Sequence, residues 1–219
     1  MKNIIKKIVL FLFPFLRHYR DFTMSQTSKI TFKQWAKFWL KRDKRVFWPT
    51  YKDVELTHPD NIHVGINSQV GLRPGNYIQG NGGLYIGSYV AITTNCGIIS
   101  GNHDVLDHSK HIDKEVRIED HCWIGMNSMI LPGVHLGPRT VVGAGSVVTK
   151  SFPEGYCIIA GNPARKVKEL DKTKFVPQKL KKEYYGYVPK EKFESFAKKH
   201  LKNNRYYQEY LNEIKNISE

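Results

Sequence analysis

Between residues 99 and 115 the chain reads I-S-G-N-H-D-V-L-D-H-S-K-H-I-D-K-E. Three of the nine histidines fall here, His103, His108 and His111, beside Asp104, Asp107 and Asp113. Imidazole exchanges a proton near neutral pH, so such a cluster can supply a general base that strips a poor nucleophile, such as a hydroxyl, of its proton as it attacks. No G-x-S-x-G occurs and no cysteine lies beside the stretch, so nothing points to a covalent nucleophile.

The residues that must position this stretch follow a different rule. Read in sixes from Ile118, the chain places an aliphatic residue at Ile118, Ile124, Ile130, Leu136, Val142 and Val148. Four places after each, a mostly small residue recurs: Cys122, Ser128, Val134, Thr140 and Ser146. Gly follows the aliphatic residue at Gly125, Gly137 and Gly143. A period of six matches neither a 3.6-residue helix nor a two-residue alternation. It predicts a solenoid of short strands, each giving one inward aliphatic and one small corner residue.

The frame starts near Ile62, with Val64-Gly65, Ser68 and Val70-Gly71. Residues 72–83, with Pro74 and four glycines, lose it and read as a bulged coil. It returns at Ile86-Gly87 with Val90, Ile92, Cys96 and Ile98, then breaks over residues 99–115. A long break inside a compact rod marks the place for function.

The repeated aliphatic-Gly-x-x-small pattern, with W-I-G, G-A-G-S-V-V-T-K and G-N-P-A-R, resembles the hexapeptide-repeat acyltransferases. It is similar to the galactoside, maltose and xenobiotic acetyltransferases over about residues 60–170. The resemblance implies a mainly β, left-handed parallel β-helix, and acetyl-CoA as co-substrate. His103, within Asn102-His103-Asp104, falls on the general-base position. Asp104 or a backbone carbonyl would fix its tautomer, and Asn76 would position the acceptor hydroxyl. Gly125 is the candidate donor to the charge developing on the thioester oxygen. Trp123 and Met126 would line the thiol end of the cofactor, with Ala144 and Thr149 along the pantetheine arm. Lys150, Arg165 and Lys168 would meet its phosphates. The family also implies a homotrimer with sites shared between subunits.

These residues make an O-acetyltransferase of a saccharide hydroxyl the main expectation, acting on a cell-surface polysaccharide or its precursor. N-acetylation of an amino sugar by the same scaffold is the alternative. A zinc-dependent β-helix lyase of the carbonic anhydrase type would use His103 and His108 as an H-x4-H pair, but His63 and His121 are poorly placed by frame as a third ligand. No metal site is therefore expected. A non-catalytic scaffold is the remaining option.

Charge is uneven. The net +14 falls on the ends: residues 1–50 hold 12 Lys/Arg against 2 Asp/Glu, residues 51–170 hold 10 against 11, and residues 171–219 hold 12 against 7. Basic ends suit an anionic surface, and without a nucleic-acid module nucleic acid is the last choice. Cys96, Cys122 and Cys157 are odd in number and far apart, which argues against a disulfide framework and for a reducing, cytoplasmic setting. Ile8 to Leu16 is uncharged, flanked by Lys6, Lys7, Arg17 and Arg20, and too short to span a membrane. Two readings stay open for residues 1–20: peripheral contact with the inner face of the membrane, or a helix packed on its own protein or a neighbouring subunit. Pro14 is expected to interrupt a helix there.

The expected organisation is a basic helical segment over 1–58, the β-helix over 59–170 and a helical extension over 171–219. Thr31 with Gln34 predicts a capping pair ahead of a Trp35, Phe38, Trp39 stripe. Pro189 opens a helical pattern with Phe193, Phe196, Ala197 and Leu201 on one face, and a second has Tyr207, Tyr210, Leu211 and Ile214.

Overall fold

A computed structural model describes residues 11, 13–25, 30–40, 44–178, 180 and 182–208. Much of the basic apolar start, and the pattern at Tyr210, Leu211 and Ile214, lie outside the described residues.

From Glu55 to Gly161 the chain visits three parallel sheets in rotation. The first holds Glu55–Thr57, Tyr77–Gln79, Gly97–Ile99, Met129–Ile130 and Val147–Val148. The second holds Ile62–Val64, Leu84–Ile86, Val116–Ile118 and His135–Leu136. The third holds Ala91–Ile92, Trp123–Ile124, Val141–Val142 and Cys157–Gly161. In the regular stretch Trp123 pairs with Val141 and Met129 with Val147, one three-strand coil further on.

The six-residue pattern is the inside of this stack. Ile118, Ile124, Ile130, Leu136 and Val148 are fully buried, as are the small residues Ser128, Thr140 and Ser146. The buried hydroxyls donate to backbone carbonyls at the corners, Thr140 to Gly137 (2.7 Å) and Ser146 to Gly143 (2.6 Å), so no inward polar group lacks a partner there. A second six-residue period lies in the backbone. His121, Asn127, Gly133, Arg139 and Gly145 all turn corners with positive φ, between 57° and 82°. A β-carbon on Gly125 would lie 2.6 Å from the Val142 carbonyl, so only glycine lets adjacent coils approach that closely.

Two expectations need correction. The stack begins at Glu55–Thr57, one strand before Ile62. Residues 72–83 lose the frame of Ile62 and Ile86, as expected, but they are not an irregular coil: Leu72, Ile78 and Leu84 are buried at six-residue spacing, out of phase by two with Ile86. The first coils are longer, Ile78 pairing with Ile98, so the phase slips while the sheets continue. At the other end, Ala164–Glu169 folds back antiparallel on Cys157–Gly161 and stops the parallel stack.

Helices cover the first coils. Phe11 is helical, Phe13 is not, and Pro14 opens α1 (Pro14–Ser25), its ring being compatible with a first helical position. The α2 helix (Phe32–Leu40) carries the expected cap: Thr31 N donates to Gln34 Oε1 (2.9 Å), and Gln34 N to Thr31 Oγ1 (3.2 Å). Helix α3 (Lys190–His200) follows Pro189 and buries Phe193 and Ala197. Phe22, Phe47, Trp48, Tyr184, Tyr187 and Phe193 form an aromatic plug between the helices and the stack. The described part of α1 is thus packed on its own chain, with Phe22 buried and Tyr19 Oη donating to the Ile30 carbonyl (2.8 Å). Phe13, Phe15, Phe32, Trp39 and Leu40 remain exposed on its outer side. Among the described residues no helix is long and apolar enough to cross a membrane.

Candidate active site

The break at 99–115 leaves the stack at the corner between the first and second sheets and returns to it without disturbing the register. Ile98 and Val116, on either side, are both fully buried. Between them Gly101–His103 pairs antiparallel with His111–Asp113, so the chain projects outward as a hairpin. Its base is clamped to the coil below. The buried Ser100 donates through Oγ to the Gln79 carbonyl (2.7 Å) and accepts there from Gly82 N (3.0 Å). Gly101 N donates to Gln79 Oε1 (2.9 Å), and Lys114 N to the Ser100 carbonyl (2.8 Å). A β-carbon on Gly82 would sit 2.3 Å from the Ser100 carbonyl. Gln79, Gly82 and Ser100 hold the loop, and the sequence reading missed them. The glycines of residues 72–83, read as irregularity, were the signal.

His103 is exposed, and its Nδ1 lies 2.6 Å from the His108 carbonyl. A carbonyl oxygen only accepts, so Nδ1 carries the proton and Nε2 keeps its lone pair. That is the tautomer a base needs. Of the two possible orienting groups it is the backbone carbonyl that faces the ring. The Asp104 carboxylate turns the loop instead, accepting from Leu106 N (2.8 Å) and Asp107 N (3.0 Å). The His111 ring lies 4.3 Å from that of His103.

Asn76 stands elsewhere. It is buried, its Oδ1 accepts from Cys96 N (2.8 Å) and its Nδ2 donates to the Arg73 carbonyl (3.3 Å). Both ends of the amide bracket the coil. The Gly125 N–H is likewise engaged, donating to the Val142 carbonyl (2.9 Å) within the ladder, so it cannot meet a developing oxyanion.

The other candidates divide between two edges of the prism. Thr149 and Lys150, both exposed, follow Val147–Val148 at the corner that also emits the His103 loop. Trp123 points outward from the third sheet, with Met126 and Ala144 exposed at its following corner. Arg165 and Lys168 lie on the antiparallel strand that ends that sheet. Lys150, Arg165 and Lys168 form no ion pair among the described residues. Beside Ala144, a β-carbon on Gly145 would meet nothing within 4 Å, so this corner is open. Open backbone, an indole and unpaired cations suit a long anionic cofactor.

The remaining histidines and cysteines are structural. His63 is partly buried, its Nδ1 donates to the Ile86 carbonyl (3.0 Å), and it stacks on Tyr85; desolvation holds its pKa down to about 4. His121 stacks on Tyr89. Among the described residues no three His, Cys, Asp or Glu side chains gather to hold a metal ion. The cysteines are free and buried, and burial pushes the Cys122 thiol up to about 12.

Residues 115–150 match the family "Bacterial transferase hexapeptide (six repeats)". "Putative acetyltransferase YvoF" of Bacillus subtilis (strain 168) is 30% identical over 159 residues, 69% of this chain and 77% of that one. The galactoside O-acetyltransferase of Lactococcus lactis subsp. lactis (strain IL1403) is 33% identical over 95 residues, 40% of this chain and 45% of that one. The crystal structure of a hexapeptide-repeat acetyltransferase from Vibrio cholerae, VCA0836, superimposes with a TM-score of 0.50 at 22% identity, covering 71% of this chain and 90% of that one, and so shares the fold. This chain belongs to the hexapeptide-repeat transferase family. It spans about half the length of the first curated relatives it matches.

Proposed function

We propose that the protein is an acetyl-CoA-dependent O-acetyltransferase of a saccharide hydroxyl, with His103 as general base and direct transfer. The observation that carries the reading is the hairpin at 99–115, which holds an accessible His103 with Nδ1 tied to a carbonyl and Nε2 free to take a proton. Relatives named as galactoside O-acetyltransferases support a sugar acceptor.

Bound acetyl-CoA would supply an acetyl group activated as a thioester. His103 Nε2 takes the proton of the acceptor hydroxyl as its oxygen attacks, and later delivers that proton to the leaving sulfur. The His108 carbonyl stabilises the imidazolium in between by keeping the Nδ1 hydrogen bond. Trp123, Met126 and Ala144 would flank the pantetheine arm, while Arg165, Lys168 and Lys150 would take phosphates through charge-assisted bonds.

We take the coil to be left-handed and the assembly to be a homotrimer. The division of the candidates supports the second point. His103 and Trp123 sit on different edges of one prism, so one copy's loop would have to complete another copy's third sheet. The exposed aromatic side of α1 and α2, in the most basic part of the chain, supports peripheral contact with an anionic membrane and hence a lipid-linked or surface polysaccharide acceptor.

His103→Ala tests the reading. Acetyl transfer should fall by about 10²–10⁴-fold, with acetyl-CoA binding retained by calorimetry. Near-normal turnover would refute it.

A further inference from the structure

A cavity of about 250 Å³ opens on the third sheet, lined by Asn67, Gln69, Arg73, Tyr89, Trp123 and Gln178 among others. Its position follows from the ladder. Trp123 pairs with Ala91 and Ala91 bridges to Gln69, so the outward row descends from a large indole through a methyl to an amide. The small Ala91 leaves a hollow beneath the indole. The segment carrying Gln178 and Leu180 walls the other side. The residues assigned to the cofactor run the opposite way, from Trp123 towards Val141, Ala144 and Arg165. Trp123 therefore separates two spaces, and the lower one is unassigned.

The lining is chemically specific. Trp123 is 56% exposed, a large apolar face left in solvent. Among the described residues no carboxylate lines the cavity. The nearby Glu183 is already engaged by the Tyr89 hydroxyl (2.5 Å) and Lys190 (2.7 Å). The Arg73 guanidinium has no ion pair or hydrogen bond among the described residues. Asn67 is only 9% exposed; its Oδ1 accepts from Tyr184 N (3.2 Å) and its side chain is hydrogen-bonded to Tyr89, so it shapes the cavity wall.

An indole face attracts the C–H face of a pyranose ring, and planar amides pair with its hydroxyls. A guanidinium fork matches a carboxylate in bidentate fashion. A neutral hexose would leave the Arg73 charge unmatched. We propose that this cavity is the acceptor subsite and takes a carboxylate-bearing sugar, a uronate or ulosonate. Trp123 carries its ring, Arg73 its carboxylate, and Gln178 its hydroxyls. The proposal rests on the reading of the chain as a saccharide O-acetyltransferase and names the chemistry of its acceptor.

The test uses two acceptors that differ in one group: an acidic oligosaccharide, and the same material with its carboxylates reduced to primary alcohols. The full-length protein and Arg73→Gln are compared by acetyl transfer from acetyl-CoA. The wild type should favour the acidic acceptor at least tenfold in kcat/KM, mainly through KM. In Arg73→Gln that preference should fall below threefold, and 0.5 M salt should erode it in the wild type alone. Arg73 is exposed, so the melting temperature of the variant serves as a folding control. Transfer to both acceptors with no preference, or a preference that survives in the variant, overturns the acidic subsite and leaves the acetyltransferase reading standing. Absence of transfer to either acceptor overturns both.

Discussion

The regular coils and the hairpin at 99–115 begin and end on equivalent residues and behave in opposite ways. Ile130 pairs with Val148, 18 residues on, whereas Ile98 pairs with Ile130, 32 residues on. The interruption thus adds 14 residues to one coil without moving its neighbours. In the regular coils the inward aliphatics from Ile118 to Val148 are buried, and the hydroxyls of Ser128, Thr140 and Ser146 are bonded to backbone. In the hairpin His103, Leu106, His108 and His111 all face solvent. A stack whose spacing is set by its own ladder tolerates an outgrowth at a corner, and chemistry can be placed there without loss of the core.

That contrast can be broken by substitution. Ile124→Ala, inside the stack, should destabilise by roughly 2–5 kcal/mol through lost burial and an unfilled cavity. Ile112→Ala, on the hairpin and 40% exposed, should stay within about 0.5 kcal/mol. Denaturant melts measure both, and equal losses would mean that the hairpin is part of the core.

His63 sharpens the same contrast through pH. Its pKa is lowered from 6.5 to about 4 by desolvation on the outer face of the second sheet, where Tyr85, Tyr206 and Tyr207 cover it. Between those values the unfolded chain binds the proton that the folded chain refuses, so stability rises with pH and is lost as pH falls from 6.5 towards 4. The loss from this one group is about 3 kcal/mol for a shift of some 2.5 units. His63→Gln should flatten that part of the pH–stability curve relative to wild type. An unchanged slope would place the acid sensitivity elsewhere.

Which parts of the molecule were legible follows from where local rules acted alone. The aliphatics from Ile118 to Val148 announced the stack because each repeats one contact. The Thr31–Gln34 cap was legible because it depends on four neighbouring residues. His103 was legible as the residue type that breaks a regular pattern. Leu72, Ile78 and Leu84 were missed because longer coils shift the phase. The hydrogen bonds of Asn76 and Gly125 were not legible because each depends on the coil stacked above or below. The corner at His121 was hidden because a positive φ there is imposed by the stack and not by a glycine.

The central claim is that the base and the cofactor-lining edge come from two copies of the chain. Co-expression of His103→Ala with a Trp123→Ala, Arg165→Ala double variant, each inactive alone, tests it most directly. Mixed oligomers should regain a measurable share of wild-type acetyl transfer, because some sites would join an intact His103 to an intact third sheet. Mixed assemblies that form but stay as inactive as the two parents would contradict the account.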